Sequence, residues 1–278
     1  MRYLPLLVIA ILAAAVPGPA LAQAEPGPVA GVRVANGFVV DVAGAPGDLV
    51  HTPLVLVNDG DAPARVRLSV ADFVVLGPAG LELREPGDHA RSSHAWATDL
   101  GEVDVPAGGR LTVPLAVAVP AGATPGSYWH VLLVRPLGSE RTEEATGTAE
   151  GVTATVHIAT QFAVAVRVDV GDVPAGPPAG VALEAPALAL VDGTTHLTIG
   201  LRHGGAYTHR VRAWVELYDA TGATVVAAEP LTVPVYPDAR RDVAFDLGAL
   251  APGTYQALVF ADPGGDEIVA ARIELDTR

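Results

Sequence analysis

Apolar and polar positions alternate along most of the chain, and no stretch longer than a turn or two keeps a helical period. In Arg65 to Val70, the residues Val66, Leu68 and Val70 alternate with Arg65, Arg67 and Ser69, giving one dry face and one wet face. From Arg110 to Val119 the apolar set is Leu111, Val113, Leu115, Val117 and Val119; Pro114 within it argues for an edge strand or a bulge. The longest alternation runs from Val152 to Val170. Every even position there except Thr160 is apolar: Val152, Ala154, Val156, Ile158, Phe162, Val164, Val166, Val168 and Val170. At about 3.3 Å per residue this run would span roughly 60 Å, too long for one ordinary strand. Two strands joined by a bend near Ala159 and Thr160 are expected, or one strand that crosses between sheets.

The pattern breaks from Gly171 to Gly180, where prolines and glycines read as a semi-extended spacer. Short alternations resume beyond it: Leu197-Ile199-Leu201, Val211-Ala213-Val215-Leu217, Val243-Phe245-Leu247 and Val269-Ala271-Ile273-Leu275. Turn signals separate them at Asp192-Gly193, Gly204-Gly205, Thr221-Gly222 and Pro263-Gly264-Gly265. Short strands at this spacing indicate sandwiches. The expected fold is all-β: two tandem immunoglobulin-like β-sandwich domains over 27–172 and 181–278, joined by a linker at 173–180. A repeated motif supports the division. Pro125-Gly126-Ser127-Tyr128 and Pro252-Gly253-Thr254-Tyr255 each open an apolar run, and each resembles the tyrosine corner of immunoglobulin-like domains.

The first residues add a compartment. Met1-Arg2, the apolar stretch Tyr3 to Val16 and the small-x-small site Ala20-Leu21-Ala22 read as a cleaved secretory signal over 1–22, with an uncleaved anchor as the rival reading. The mature chain is expected to be exported, to a periplasm or to the cell surface and beyond. It has no further segment of the roughly 20 apolar residues a spanning helix needs. The sequence holds no cysteine, so a lipoprotein anchor and disulfide staples are excluded and each core must hold by burial alone.

Charge narrows the partners. The net charge of −14 argues against nucleic acid and anionic lipid, since both need a basic stripe. All 17 basic residues are arginine, which excludes Schiff-base chemistry and lysine–asparagine isopeptide bonds.

Taken in order, Pro46-Gly47-Asp48, the strand ending in Val57-Asn58-Asp59-Gly60-Asp61-Ala62-Pro63, Asp72, Trp96, Val105-Pro106-Ala107-Gly108-Gly109, Val119-Pro120 and Pro125-Gly126-Ser127-Tyr128 form a recognisable series. It resembles the N-terminal domain of the WxL-interacting surface proteins of bacteria, and more loosely the pilus chaperone and major-sperm-protein group of sandwiches. The later half is similar to the C-terminal domain of the same surface proteins. The resemblance implies binding of a cell wall or of a partner protein. The chain departs from the WxL-interacting pattern in ending at Asp276-Thr277-Arg278 without a membrane span or basic tail. It departs from the pilus chaperones in lacking the cleft lysine, and neither Arg33 nor Arg167 can be assigned the paired arginine's task.

A search for chemistry finds little. His89 and His94, and His203 and His209, lie five or six residues apart without a metal-binding helix pair, and His130 reads as a satisfied, partly buried side chain. The acids Asp59, Asp61, Asp262, Asp266 and Glu267, and the tract Glu140 to Glu144, lack the spacing of a calcium loop. Ser92-Ser93-His94 puts hydroxyl beside imidazole, but no orienting acid can be picked out and no GxSxG elbow exists. No enzyme activity, metal or cofactor is expected.

The expected function is an exported, non-enzymatic interaction protein of the cell envelope that binds a protein, or a cell-wall polymer, through sandwich edges and loops. The alternatives are a periplasmic chaperone-like protein that captures subunits by strand addition, and a carbohydrate or peptidoglycan module. Candidate partner-binding residues are Val156, Ile158, Phe162, Val164 and Val166 on the long alternating run, where an end strand could accept another chain's strand. Trp129 and Trp214 join them because both stand on the parity opposite the presumed core sets.

Overall fold

The computed structural model describes residues 31–76, 80–138, 141–146, 153–158, 160–174 and 180–277. The signal-like segment and most of the Pro/Gly spacer lie outside the described residues. The fold is two-domain β-sandwich. Eleven strands build the N-terminal sandwich: β1 (Val32–Val34), β2 (Val39–Gly44), β3 (Leu49–Asn58), β4 (Ala64–Leu76), β5 (Gly80–Arg84), β6 (Glu102–Val105), β7 (Arg110–Ala118), β8 (Gly126–Pro136), β9 (Arg141–Thr146), β10 (Thr153–Ile158) and β11 (Phe162–Val170). One sheet runs β1-β3-β7 and the facing sheet β2-β11-β8-β4-β5, with β6 also on β4; β9 and β10 form a separate two-stranded ladder.

The even-numbered apolar positions of β4 and β11 point inward as the alternation requires: Val66, Leu68, Val164, Val166, Val168 and Val170 are all buried. They meet Leu54 and Leu56 of β3 and Val113, Leu115 and Val117 of β7 in one core. Each such side chain contributes about 1.5–3 kcal/mol by leaving water, which is how a cysteine-free sandwich holds. Pro114 lies in β7, an edge strand as its ring demands, directly opposite Pro53.

The chain changes sheets between β1 and β2. β1 pairs antiparallel with β3, whereas β2 pairs parallel with β11. Asn36 and Gly37 make the crossing: the Asn36 amide donates to Pro53 O and accepts from Val55 N, and Gly37 turns at a φ of 91° that side chains resist.

The C-terminal sandwich comprises β12 (Ala182–Val191), β13 (Thr194–Arg202), β14 (His209–Tyr218), β15 (Thr224–Ala227), β16 (Leu231–Val235), β17 (Arg241–Asp246), β18 (Gly253–Asp262) and β19 (Val269–Thr277). Its sheets are β12-β13-β17 and β15-β14-β18-β19, with β16 on β14. Leu197, Ile199, Leu201, Val215, Leu217, Phe245 and Val259 fill the space between them.

Both Pro-Gly-x-Tyr motifs make the corner bond. Tyr128 Oη donates to Thr124 O at 3.1 Å and Tyr255 Oη to Ala251 O at 2.8 Å, each four residues upstream. The phenol thereby satisfies a carbonyl that the turn would leave bare and fixes where β8 and β18 begin.

Candidate functional site

Within the run from Val152 to Val170, Thr153–Ile158 form β10 and Phe162–Val170 form β11, and Val152 and Ala159 lie outside the described residues. β11 pairs with β8 along its whole length but with β2 only from Ala165 to Val170. The Ala165 N–H donates to Phe38 O at 2.8 Å, so odd-numbered residues of β11 direct their backbone groups toward the β2 edge. Before Ala165 that edge has no partner among the described residues, because the chain at Asn36 and Gly37 has turned away to the other sheet. β10 pairs antiparallel with β9 over its whole length. Its opposite edge has no partner among the described residues. Among the described residues, the unpaired backbone positions are therefore one side of β10, Thr153–Ile158, and the start of β11 at Phe162 and Ala163, where β2 has not yet joined. Phe38, 53% exposed, stacks on Phe162 at 6.2 Å where the paired edge stops.

The structure redistributes the candidate residues. Val164 and Val166 are core side chains with exposures of 0% and 1%, so they meet no partner directly. Along 165–170 β11 is an interior strand, paired with β8 on one side and β2 on the other. Phe162 is half-buried at the mouth of the free edge, and Val156 and Ile158 stand on β10 itself. Trp129 does point out of its sheet, but into the seam between the domains, where it is 6% exposed and packed on His89 at 4.7 Å and Tyr236 at 4.8 Å. Trp214 also faces outward, stacked on Phe260 at 4.9 Å with the Arg212 guanidinium 5.5 Å from its ring centre. Both rings are engaged by other aromatic side chains, Trp129 by His89 and Tyr236 and Trp214 by Phe260.

Sequence reasoning missed the seam. Ala71, Phe73, Trp129, Val131 and Ala165 form an apolar patch on the outer face of the larger N-terminal sheet, and Tyr236 of the other sandwich covers it. The signal was present in β4, where Ala71, Phe73 and Val75 are apolar on the odd phase after the even phase has served the core. Polar bonds fasten the seam beside the patch. The Ser127 N–H donates to Ala206 O at 2.8 Å, Thr208 N–H to Ser127 Oγ at 2.7 Å, and Tyr207 Oη to Val170 O at 2.8 Å. Ser127 Oγ in turn donates to Asp169. Arg91 reaches Ala206 O and lies 3.5 Å from Asp238. Gly126 makes this approach possible: a Cβ there would stand 2.8 Å from Ala206 O. A cavity of about 450 Å³ opens beside these contacts, bounded by Val75, His89, Trp129, Tyr236 and Arg240.

Below the core of the N-terminal sandwich lies a buried polar cluster. Asp72 holds the inward phase of β4 at 0% exposure and accepts from Gly87 N–H (2.7 Å), Asp88 N–H (3.1 Å) and Ser92 Oγ (2.7 Å). Asp72 is the acid that sequence reading could not pair with Ser92-Ser93-His94. The order is wrong for nucleophilic catalysis, however. The Ser92 proton goes to the carboxylate, and His94 Nδ1 meets the serine oxygen at 2.9 Å, so no base draws that proton away. The cluster pins the 85–94 loop, which carries His89 and Arg91 to the seam. Among the described residues no group of three or more metal-ligating side chains converges.

His130 is more buried than its sequence context suggested. It is 2% exposed, shares a 2.8 Å hydrogen bond with Ser93 Oγ, and burial pushes its pKa down to about 4. The folded state therefore resists the proton that the unfolded chain takes up near pH 6.5. Stability from this residue is complete above about pH 6.5 and falls by about 3 kcal/mol as pH drops toward 4. Denaturant unfolding of wild type and His130→Asn across that range is expected to show a shallower pH dependence in the variant; parallel curves would refute this assignment.

No family profile matches the sequence, and no curated relative does. Solved structures do resemble the fold. The complex of chaperone and tip adhesion subunit from archaic Csu pili of Acinetobacter baumannii matches 87% of this chain and 97% of its own at 12% identity, TM-score 0.43. The CupB2 chaperone of Pseudomonas aeruginosa matches 87% and 99% at 11% identity, TM-score 0.39. A Salmonella enterica complex of a pilin with its chaperone matches 88% and 96% at 10% identity, TM-score 0.36. The resemblance to WxL-interacting proteins gains no support from these matches.

Proposed function

We propose that the chain is an exported, non-enzymatic binding protein that captures an extended segment of a partner protein by strand addition, in the manner of a chaperone. One observation carries this reading: among the described residues, β10 (Thr153–Ile158) has a partner on one side alone, and β11 lacks its β2 partner before Ala165. Exposed donors and acceptors in a row are a template for another strand, and β2 shows that this edge accepts one in parallel. The apolar alternation Ala154, Val156, Ile158 and Phe162 supplies side chains for an equally alternating partner segment. The partner proposed is an envelope fibre subunit with such a segment exposed.

Proline at Ala163 tests the reading. The Ala163 N–H faces the free edge, so its loss spares the β8 ladder; Val164, buried and on the opposite phase, would not serve. A photocrosslinker at the exposed Gln161 is expected to trap a partner from the envelope fraction, and Ala163→Pro, its circular dichroism unchanged, to lower that yield about tenfold. Equal yield from the folded variant would defeat the proposal.

A further inference from the structure

We infer that the segment His203-Gly204-Gly205-Ala206-Tyr207-Thr208 is an acid-released clamp between the two sandwiches, with the imidazole of His203 as its catch. The inference stands apart from strand addition and rests on the bonding of one buried ring. His203 is 1% exposed, and both its nitrogens are used. Nδ1 accepts from Gly205 N–H at 2.9 Å, which makes Nε2 the protonated nitrogen, donating to Val235 O at 3.0 Å. Only the neutral ring can do this. A second proton must enter at Nδ1, where it would face the Gly205 N–H donor-to-donor.

The three residues after Gly205 make the cross-domain bonds. Ala206 O receives the Ser127 N–H and the Arg91 guanidinium, Tyr207 Oη holds Val170 O, and Thr208 N–H holds Ser127 Oγ. Displacing Gly205 therefore moves the residues that hold the seam. Two further imidazoles respond in the same sense. His209 lies edge-on to His203 at 5.4 Å, and His89 is stacked on Trp129, its ring nitrogens without a hydrogen bond among the described residues and its Nε2 3.7 Å from the Asp72 carboxylate.

Charges around the catch oppose one another. For His203, burial lowers the pKa, Asp238 and the bond to Val235 work against it, and Arg91 adds to it. For His209, burial and His203 lower the pKa, while Asp169 works against them. For His89, burial leads again, with Asp72 and Asp88 opposing and His94 assisting. All three are lowered in the docked state and ordinary once water enters the seam. Docking is thus complete above about pH 6.5 and weakens as pH falls below it, the undocked form taking up protons that the docked form refuses. The sandwiches remain tethered by the chain from Gly171 to Gly180.

The absence of native cysteine makes the test direct. Asp61→Cys in one sandwich and Glu267→Cys in the other, both at exposed positions, take a donor and an acceptor dye. On lowering pH from 7.5 to 5.5, energy transfer is expected to change reversibly while far-UV circular dichroism stays constant. His203→Gln, which holds its polarity without titrating, is expected to shift the midpoint to lower pH by about half a unit. Ser127→Ala weakens the clamp without touching an imidazole and is expected to shift it to higher pH. Constant transfer in the wild type across this range would overturn the inference, as would a change that occurs only with loss of the β signal. So would a midpoint that neither variant moves.

Discussion

Asp72→Ala is expected to destabilise the N-terminal sandwich by about 4 kcal/mol, more than a typical single core truncation, though it removes only a carboxylate. Asp72 is wholly buried and accepts from two backbone N–H groups and one hydroxyl. Hydrogen bonds to a charged acceptor are worth roughly 1.5–3 kcal/mol each, and each buried donor left unpaired costs about 1–3 kcal/mol. The values do not add fully, because the 85–94 loop can relax once freed. That relaxation has its own signature. The loop carries His89 onto Trp129 and Arg91 toward Asp238, so the variant is expected to lose seam contacts as well as stability. Ser92→Ala, which removes one donor to Asp72 and takes the serine oxygen from the half-buried His94 N–H and Nδ1, should cost less, about 1–2 kcal/mol. Urea unfolding of the two variants separates them. If Asp72→Ala fell within 1 kcal/mol of the wild type, the carboxylate would not be what holds this loop.

Local pattern made the sandwiches legible, and its limits explain what was not. Val66, Leu68 and Val70 announce a half-buried strand because a strand's two faces see different media, and that information is complete within six residues. The corner tyrosines were equally readable, since each phenol bonds only four residues upstream. The division of the long run into two strands followed from length alone, while Ala159, at the expected bend, lies outside the described residues. By contrast, the parallel pairing of β2 with β11 joins Val39 to Ala165. Nothing in either segment encodes that register, so the sequence could suggest an edge along the run but not where it closes.

The seam was half legible. The parity of Trp129 and Trp214 pointed one or both rings outward against a default of core tryptophan, and each ring packs on an aromatic partner. What covers each ring depends on residues distant in sequence, Tyr236 for one and Phe260 for the other. Asp72 shows the same limit. It continues the inward phase of Val66, Leu68 and Val70, so its burial was available from the alternation. Its partners lie in a loop of glycine, serine and charged residues that has no period to read.

Trp129→Ala is the second large effect, expected to cost about 3–5 kcal/mol because a buried indole vanishes from a seam that cannot fully close. The side chain lies in contact with His89 and Tyr236, and its Nε1–H donates to Phe73 O at 3.2 Å. Its removal acts on two links at once. The N-terminal sandwich loses packing on the outer face of β8, and the C-terminal sandwich loses the surface on which Tyr236 sits. A purely internal truncation such as Leu68→Ala should lower the unfolding midpoint without altering the domain arrangement above pH 7, since Leu68 contacts only its own core. Trp129→Ala should do both. It should also return His89 toward an ordinary imidazole pKa, because burial is the leading cause that lowers it and the indole is the surface it is buried against. A proton-NMR titration of the His89 ring in the variant reads that change independently of stability. An unshifted His89, in a variant that has nonetheless lost several kcal/mol, would mean that the ring is desolvated by its own loop and that Trp129 serves the sandwich alone.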